Sequence, residues 1–180
     1  IMFTDIRGFT SLSEKLPPST IVDLLNKYFS KMIDIVFENK GTLDKFIGDG
    51  LMCIFGAPFE LKNHEEMAIR TAIKMRQTME EFNKISDYPL SIGIGINTGP
   101  VVVGNIGSQK RLEYTVIGDN VNLAARLEAN AGADEILISQ STFEAVKDII
   151  ISEKLEPLMV KGKAKPVTAH KLVNLVKAHV

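Results

Sequence analysis

A single cysteine, Cys53, is all that the chain offers to thiol chemistry. It has no partner for an internal disulfide, and inside an apolar run it is expected to pack as a small hydrophobe. An excess of one charge is also missing: 21 Lys and Arg stand against 22 Asp and Glu. That balance lends no support to general nucleic-acid binding or to contact of this domain with a membrane surface. No apolar run approaches the length of a membrane span and no signal peptide is visible, so a cytoplasmic compartment is the default expectation. No internal repeat, low-complexity tract or interdomain linker interrupts residues 1–180, which read as one domain with a sizeable core. The chain opens on an apolar strand without an initiator Met. That is expected of a domain excised from a longer protein, whose full length leaves room for a membrane anchor.

Ordinary globular composition remains, 45% hydrophobic and 24% charged, and its pattern is informative. A strand is expected from Ile1 to Thr4. A helix is expected over 17–39, entered at Pro17-Pro18, with Thr20 and Asp23 as a capping box and Ile21, Leu24, Leu25, Tyr28, Met32, Ile35 and Val36 at helical spacing. Residues 42–56 read as a hairpin. A second helix begins at Asn63, with Glu66 as its capping partner and Ala68, Ala72, Met75, Met79 and Phe82 on one core face. Ser91 to Asn97 alternates Ile92, Ile94 and Ile96 with small residues, the period of a half-buried strand. Gly93, Gly95 and Gly99 open no helix and lack the third glycine of a dinucleotide fingerprint, so they are read as room for a packed helix. Strands follow over 101–106 and 111–117, a third helix from Gly118 to about Asn130, a strand over 134–138 and a short helix over 139–147. Two closing strands, 150–160 and 167–176, are joined by a turn at Lys161 to Pro166. Hairpins among alternating strands and helices imply an α+β fold, with helices on one face of a mixed or antiparallel sheet.

Two runs place an Asp at the edge of an apolar strand: Phe3-Thr-Asp-Ile-Arg-Gly-Phe-Thr10 and Phe46-Ile-Gly-Asp-Gly-Leu-Met-Cys-Ile-Phe55. A carboxylate beside a flexible glycine can face a cleft. Two brought together repel unless a hard cation sits between them, and Mg²⁺ or Mn²⁺ suits oxygen ligands. Asp-Gly is equally a hairpin signal, and Asp5 alone would serve as a cap. Downstream, Asn122 and Arg126 lie four apart and share a helix face, as they would on a plain surface helix.

Together these stretches resemble the class III nucleotidyl cyclase catalytic domain of adenylate and guanylate cyclases. The matching motifs are the first run above, Lys45-Phe-Ile-Gly-Asp-Gly50, Thr115-Val-Ile-Gly-Asp-Asn-Val-Asn-Leu-Ala-Ala-Arg126 and Val160-Lys-Gly-Lys163, in the family's order over nearly the whole chain. The resemblance implies a ferredoxin-like βαββαβ core with an extra hairpin and C-terminal strands. It implies that Asp5, Asp49 and the Ile6 carbonyl hold two Mg²⁺ or Mn²⁺ ions. Lys45 and Thr115 would read the purine, Asn122 orient the ribose and Arg126 stabilise the transition state. Lys161 would meet the terminal phosphates, and the loop from Ile6 through Gly8 and Phe9 to Thr10 would cradle the triphosphate. The implied site lies between two protomers, so a homodimer is expected, with Asp5 and Asp49 of one chain serving beside Lys45, Thr115, Asn122 and Arg126 of the other.

Hydrogen-bond polarity selects the base. Lys45 is donor-only and suits adenine N1, and Thr115 has lone pairs for the 6-amino group, so ATP is the expected substrate and cyclic AMP with pyrophosphate the expected products. The alternatives are a guanylate cyclase or an inactive nucleotide-binding regulatory domain. A diguanylate cyclase is disfavoured because the turn reads Gly48-Asp-Gly50 and not Gly-Gly-Asp/Glu-Glu-Phe. Threonine at 115, where many adenylate cyclases carry Asp, resembles a bicarbonate-responsive bacterial subgroup, so bicarbonate is carried as an expected activator.

Overall fold

A computed structural model describes residues 1–159 and 165–176. The elements run β1 (Met2–Ile6), α1 (Phe9–Ser13), α2 (Pro18–Glu38), β2 (Thr42–Ile47), β3 (Gly50–Ile54), α3 (His64–Ile85), β4 (Ile92–Ile96), β5 (Val102–Ser108), β6 (Arg111–Ile117), α4 (Asp119–Asn130), β7 (Ile136–Ser139), α5 (Gln140–Val146), β8 (Ile150–Lys154) and β9 (Ala169–Leu175). A sheet of seven strands has the order β2-β3-β1-β4-β7-β9-β8, and β5 pairs with β6 apart from it. Its first four strands, joined through α2 and α3, are the expected βαββαβ core. Among the described residues only β4 and β7 pair in parallel, so the sheet is mixed.

Strand periodicity sorts the side chains onto two faces. Ile92, Ile94 and Ile96 meet Leu24, Tyr28, Met32, Met75 and Met79 of α2 and α3 in the main core, with Leu51 and the buried Cys53 of β3. Burial pushes the Cys53 thiol up to about 12, so it behaves as the expected hydrophobe. The opposite face carries α4 instead, through Leu127 and Ala131 packed on Leu137 and Ala169. Helices therefore cover both faces, not one. The glycines of β4 make this possible: a Cβ on Gly95 would fall 2.7 Å from Glu128 Cα, inside the backbone of α4. Gly95 is thus room for a helix, as expected, whereas Gly93 makes room for the Arg7 side chain.

Local signals were less reliable than periodicity. Helix α2 starts at Pro18, whose missing N–H is one of the helix-start orphans, with Pro17 as N-cap offering no side-chain acceptor, so Thr20 falls at the third helical position. Thr20 and Asp23 thus form no capping box. Asn63 is the N-cap of α3 but makes no side-chain cap bond, and Glu66 pairs with Arg70 one turn on, at 2.7 Å. The short helix α1 had no periodic signature over five residues. The closing strand expected over 150–160 stops at Lys154; among the described residues beyond it, the Leu155 N–H bonds the Ala169 carbonyl and Leu158 bridges Val167. Lys161 lies outside the described residues.

Replacing Gly95 with Ala should destabilise the fold by about 3 kcal/mol, since the obstacle is backbone and cannot swing aside. Urea unfolding at equilibrium measures it, and a loss well under 1 kcal/mol would show that α4 stands off the sheet.

Candidate active site

Asp5 and Asp49 reach the same end of the sheet from neighbouring strands. β1 and β3 pair antiparallel with Thr4 opposite Leu51. This puts Asp5, one residue further along β1, beside the β2–β3 turn. Gly48 makes that turn with φ 60°, so the glycine before Asp49, not the one after it, takes the left-handed conformation. Gly50 matters for a different reason. A Cβ there would press on the Thr4 carbonyl and come 3.2 Å from Asp5 Oδ1. The missing side chain lets the two carboxylates approach. Asp49 Oδ2 accepts the Ile6 N–H at 3.2 Å, which seats it beside the Ile6 backbone.

Electrostatics record the crowding. Partial burial, then the charges of Asp49 and Glu128, push the Asp5 carboxyl up to about 6, with Arg7 opposing. A cation would reverse that balance. Among the described residues no group of three or more His, Cys, Asp or Glu side chains is arranged to hold a metal ion. Two carboxylates and a neighbouring carbonyl still fit Mg²⁺, which commonly takes one or two carboxylates and completes its shell with water and substrate phosphates. The donors present therefore suit the ions that the fold implies.

Arg7 ties this end of the sheet to α4. Its Nη1 lies 3.4 Å from Asp5 Oδ2, and Nη2 donates to the carbonyl and, at 2.6 Å, to the carboxylate of Glu128. Gly93 leaves the space that the guanidinium occupies. Neither Arg7 nor Glu128 stands out in the sequence, because 121 residues separate them. On the same helix Asn122 is exposed, while Arg126 Nη1 is buried and finds no hydrogen-bond partner in the chain. An unsatisfied cationic donor of this kind suits an anion.

The phosphate-loop reading needs a correction. The N–H of Ile6 goes to Asp49 and that of Arg7 to the Ser91 carbonyl at 2.8 Å, so neither is free for a ligand. Gly8, with φ 72°, caps α1, and the amides of Phe9 and Thr10 head that helix with no intrahelical partner.

A second cluster surrounds Lys45 and Thr115. Thr115 Oγ1 donates to Asp44 Oδ2 at 2.8 Å. Lys45 Nζ lies 3.6 Å from the same Asp44 oxygen and 3.0 Å from Glu113 Oε2. Glu113 holds the Lys45 ammonium's pKa above the ordinary lysine value, and Lys45 and Arg111 hold the Glu113 carboxyl below its own. The two residues predicted to read the purine are therefore gathered on one carboxylate, although 70 positions apart in sequence. The ion pairs of this cluster run among Asp44, Lys45, Arg111 and Glu113, and those at the other cluster among Asp5, Arg7 and Glu128. Near Lys45 and Thr115, the apolar side chains of Phe46, Ile47, Val102, Leu112, Tyr114 and Ile117 are exposed at the end of β2 and on the two faces of the β5–β6 hairpin.

Residues 1–174 match the adenylate and guanylate cyclase catalytic domain family. The terminal-differentiation specific adenylate cyclase of Dictyostelium discoideum is 36% identical over 97% of this chain, which covers 8% of that protein. The adenylyl cyclase CyaB of P. aeruginosa superposes with a TM-score of 0.91 at 41% identity, covering 96% of this chain and 92% of that one. The guanylyl cyclase Cya2 superposes at 0.89 with 39% identity, over 99% and 92% of the two chains. The chain spans from 8 to 36% of the length of the first curated relatives it matches.

Because the folded-state Asp5 carboxyl sits above its ordinary 3.8, ionising it costs the native state more than the unfolded one. The cation-free chain should lose stability as pH rises from about 4 through about 6. Asp5→Asn should raise its melting temperature at pH 7 in EDTA and remove the upward shift that Mg²⁺ gives the parent chain. Thermal scanning with and without Mg²⁺ measures both.

Proposed function

The chain belongs to the family of adenylate and guanylate cyclase catalytic domains, and on that premise we propose that residues 1–180 form one catalytic domain that cyclises ATP to 3′,5′-cyclic AMP and pyrophosphate at sites shared by two copies of itself. The observation that carries the choice of ATP is the gathering of donor-only Lys45 and acceptor-capable Thr115 around the Asp44 carboxylate. Adenine presents an acceptor at N1 and a donor at its 6-amino group, and these two side chains answer both.

The ribose 3′-oxygen bonds to the α-phosphorus as the bond to the departing pyrophosphate oxygen breaks. Asp5, Asp49 and the Ile6 carbonyl would hold Mg²⁺ or Mn²⁺, in the two-ion arrangement the fold implies. Bound there, such ions lower the pKa of the 3′-hydroxyl and neutralise phosphate charge. The amides at Gly8, Phe9 and Thr10 face the triphosphate, and Asn122 orients the ribose. Arg126, its buried nitrogen unsatisfied, meets the charge that builds on the α-phosphate and leaving group. Lys161 keeps the terminal-phosphate role that resemblance assigns it.

A second copy completes the site in this reading. The exposed apolar side chains near Lys45 and Thr115 call for cover, and an isologous pairing would set each chain's carboxylates opposite its partner's α4 and base cluster. Among the described residues no helix is long and apolar enough to cross a membrane. Work in the cytoplasm and stimulation by bicarbonate, the latter resting on threonine at 115, belong to the same proposal. The likeness to Cya2 favours guanylate cyclase as the second reading.

Purified chain given ATP or GTP with Mn²⁺ should yield cyclic AMP in preference to cyclic GMP, read by mass spectrometry; preference for GTP installs the second reading. Arg126→Ala should cost about 10²–10³ in kcat, the loss seen when a comparable electrostatic stabiliser is removed. Equal mixing of inactive Asp5→Ala and Arg126→Ala chains should restore about a quarter of parent activity, because half the random dimers carry one intact site. Dimers that form without recovery would reject the shared site.

A further inference from the structure

Strand alternation should set Asp44 and Lys45 on opposite faces of β2. Both reach β6 instead, Asp44 at the Thr115 hydroxyl and Lys45 at the Glu113 carboxylate, and they lie 3.6 Å from each other. The pairing of β2 with β3 shifts between Leu43, opposite Cys53, and Lys45, opposite Met52, so Asp44 is the extra residue of a β-bulge. A bulge re-aims a side chain, and here it turns Asp44 toward β6. The Asp44 side chain is only 2% exposed and lines a cavity of about 160 Å³ with Tyr114, Thr115 and Val116.

Burying a carboxylate is costly unless it is paired and hydrogen-bonded. Asp44 has both kinds of partner, the Thr115 hydroxyl at 2.8 Å and the Lys45 ammonium at 3.6 Å. A carboxylate beside an ammonium accepts and does not donate, so in the Thr115–Asp44 contact the hydroxyl must be the donor. A hydroxyl has one proton. Once it is given to Asp44, Thr115 presents only lone pairs to anything else.

We propose that Asp44 is the positioning residue that sets purine selectivity, committing the Thr115 proton so that Thr115 can only accept, and steadying Lys45 as the neighbouring donor. The pair then recognises adenine's acceptor–donor edge and rejects the donor–acceptor edge shared by guanine and hypoxanthine. Free Thr115 would rotate to donate to a 6-oxo group and would discriminate poorly; bonded to Asp44 it serves as a fixed acceptor. This deepens the ATP reading above and rests on it for the identity of the base site.

ATP and inosine triphosphate (ITP) differ only in the atoms of that edge, so their ratio isolates it. In Asp44→Asn an amide N–H can donate to Thr115 and release its proton. The ATP:ITP ratio of kcat/KM should then fall about tenfold, the worth of one hydrogen bond at the reading edge. In Asp44→Asn/Thr115→Asp the ratio should return, because a carboxylate at 115 needs no neighbour to fix its polarity. Loss of both activities in equal proportion, with the ratio unchanged, would make Asp44 a merely structural residue and overturn the proposal. The same ratio is also read without turnover, from calorimetric binding of 3′-deoxy-ATP and 3′-deoxy-ITP. A chain that binds selectively but makes no cyclic product would defeat the cyclase reading while leaving this one standing. If the Asn variant does not fold, a crystal structure of the parent chain with 3′-deoxy-ATP decides. Thr115 Oγ1 should stay within hydrogen-bond distance of Asp44 with the 6-amino group on its other side, and a hydroxyl turned away from Asp44 would overturn the inference.

Discussion

Two like charges held side by side at one end of a sheet are the constraint on which the rest of this molecule turns. Asp5 and Asp49 cannot relax apart, because antiparallel pairing of β1 with β3 and the tight turn at Gly48 hold their backbones in place. Gly50 removes the side chain that would keep them separate. Arg7 offsets part of the repulsion but is drawn away to Glu128. Such an arrangement gives up stability in the cation-free state, a common trade at functional sites, and under the proposed function it keeps a place for a divalent ion.

The same arrangement organises α4. Glu128 anchors the helix to Arg7, and Gly95 lets its backbone settle onto β4. With the helix seated, Asn122 is exposed and the buried nitrogen of Arg126 is unsatisfied. The ion pairs of Asp5, Arg7 and Glu128 and those of Asp44, Lys45, Arg111 and Glu113 remain distinct within the chain, and exposed apolar side chains lie near the latter. Under the proposed function these facts have one explanation: the two half-sites belong to different active sites, each completed by a second copy.

Much of the fold was legible in the residue pattern. Periods of two and of three to four located the strands and long helices, because burial of one face is a repeating demand. The pairing of isoleucine with glycine in β4 foretold a close helix for the same reason. The expected caps did not form because the helix begins before Thr20, at Pro18, and because Glu66 turns to Arg70. Helix α1 was too short to show a period. The faces covered by helices were misjudged because strand alternation reveals two faces without saying what lies on each.

For the candidate site, the residue types of Asp5, Asp49, Lys45, Thr115, Asn122 and Arg126 and their order were enough to identify the family and the chemistry these groups suit. The sequence by itself determined that inventory, along with the periodic burial that shapes the core. Tertiary structure alone decided which groups meet: that Arg7 spans to Glu128, and that a bulge turns Asp44 against its strand's alternation to hold Thr115 and Lys45 together. Such contacts join residues dozens of positions apart, or break the local rule that pattern reading relies on. They are set by how strands register and helices dock, and neither is written in any short stretch of the chain.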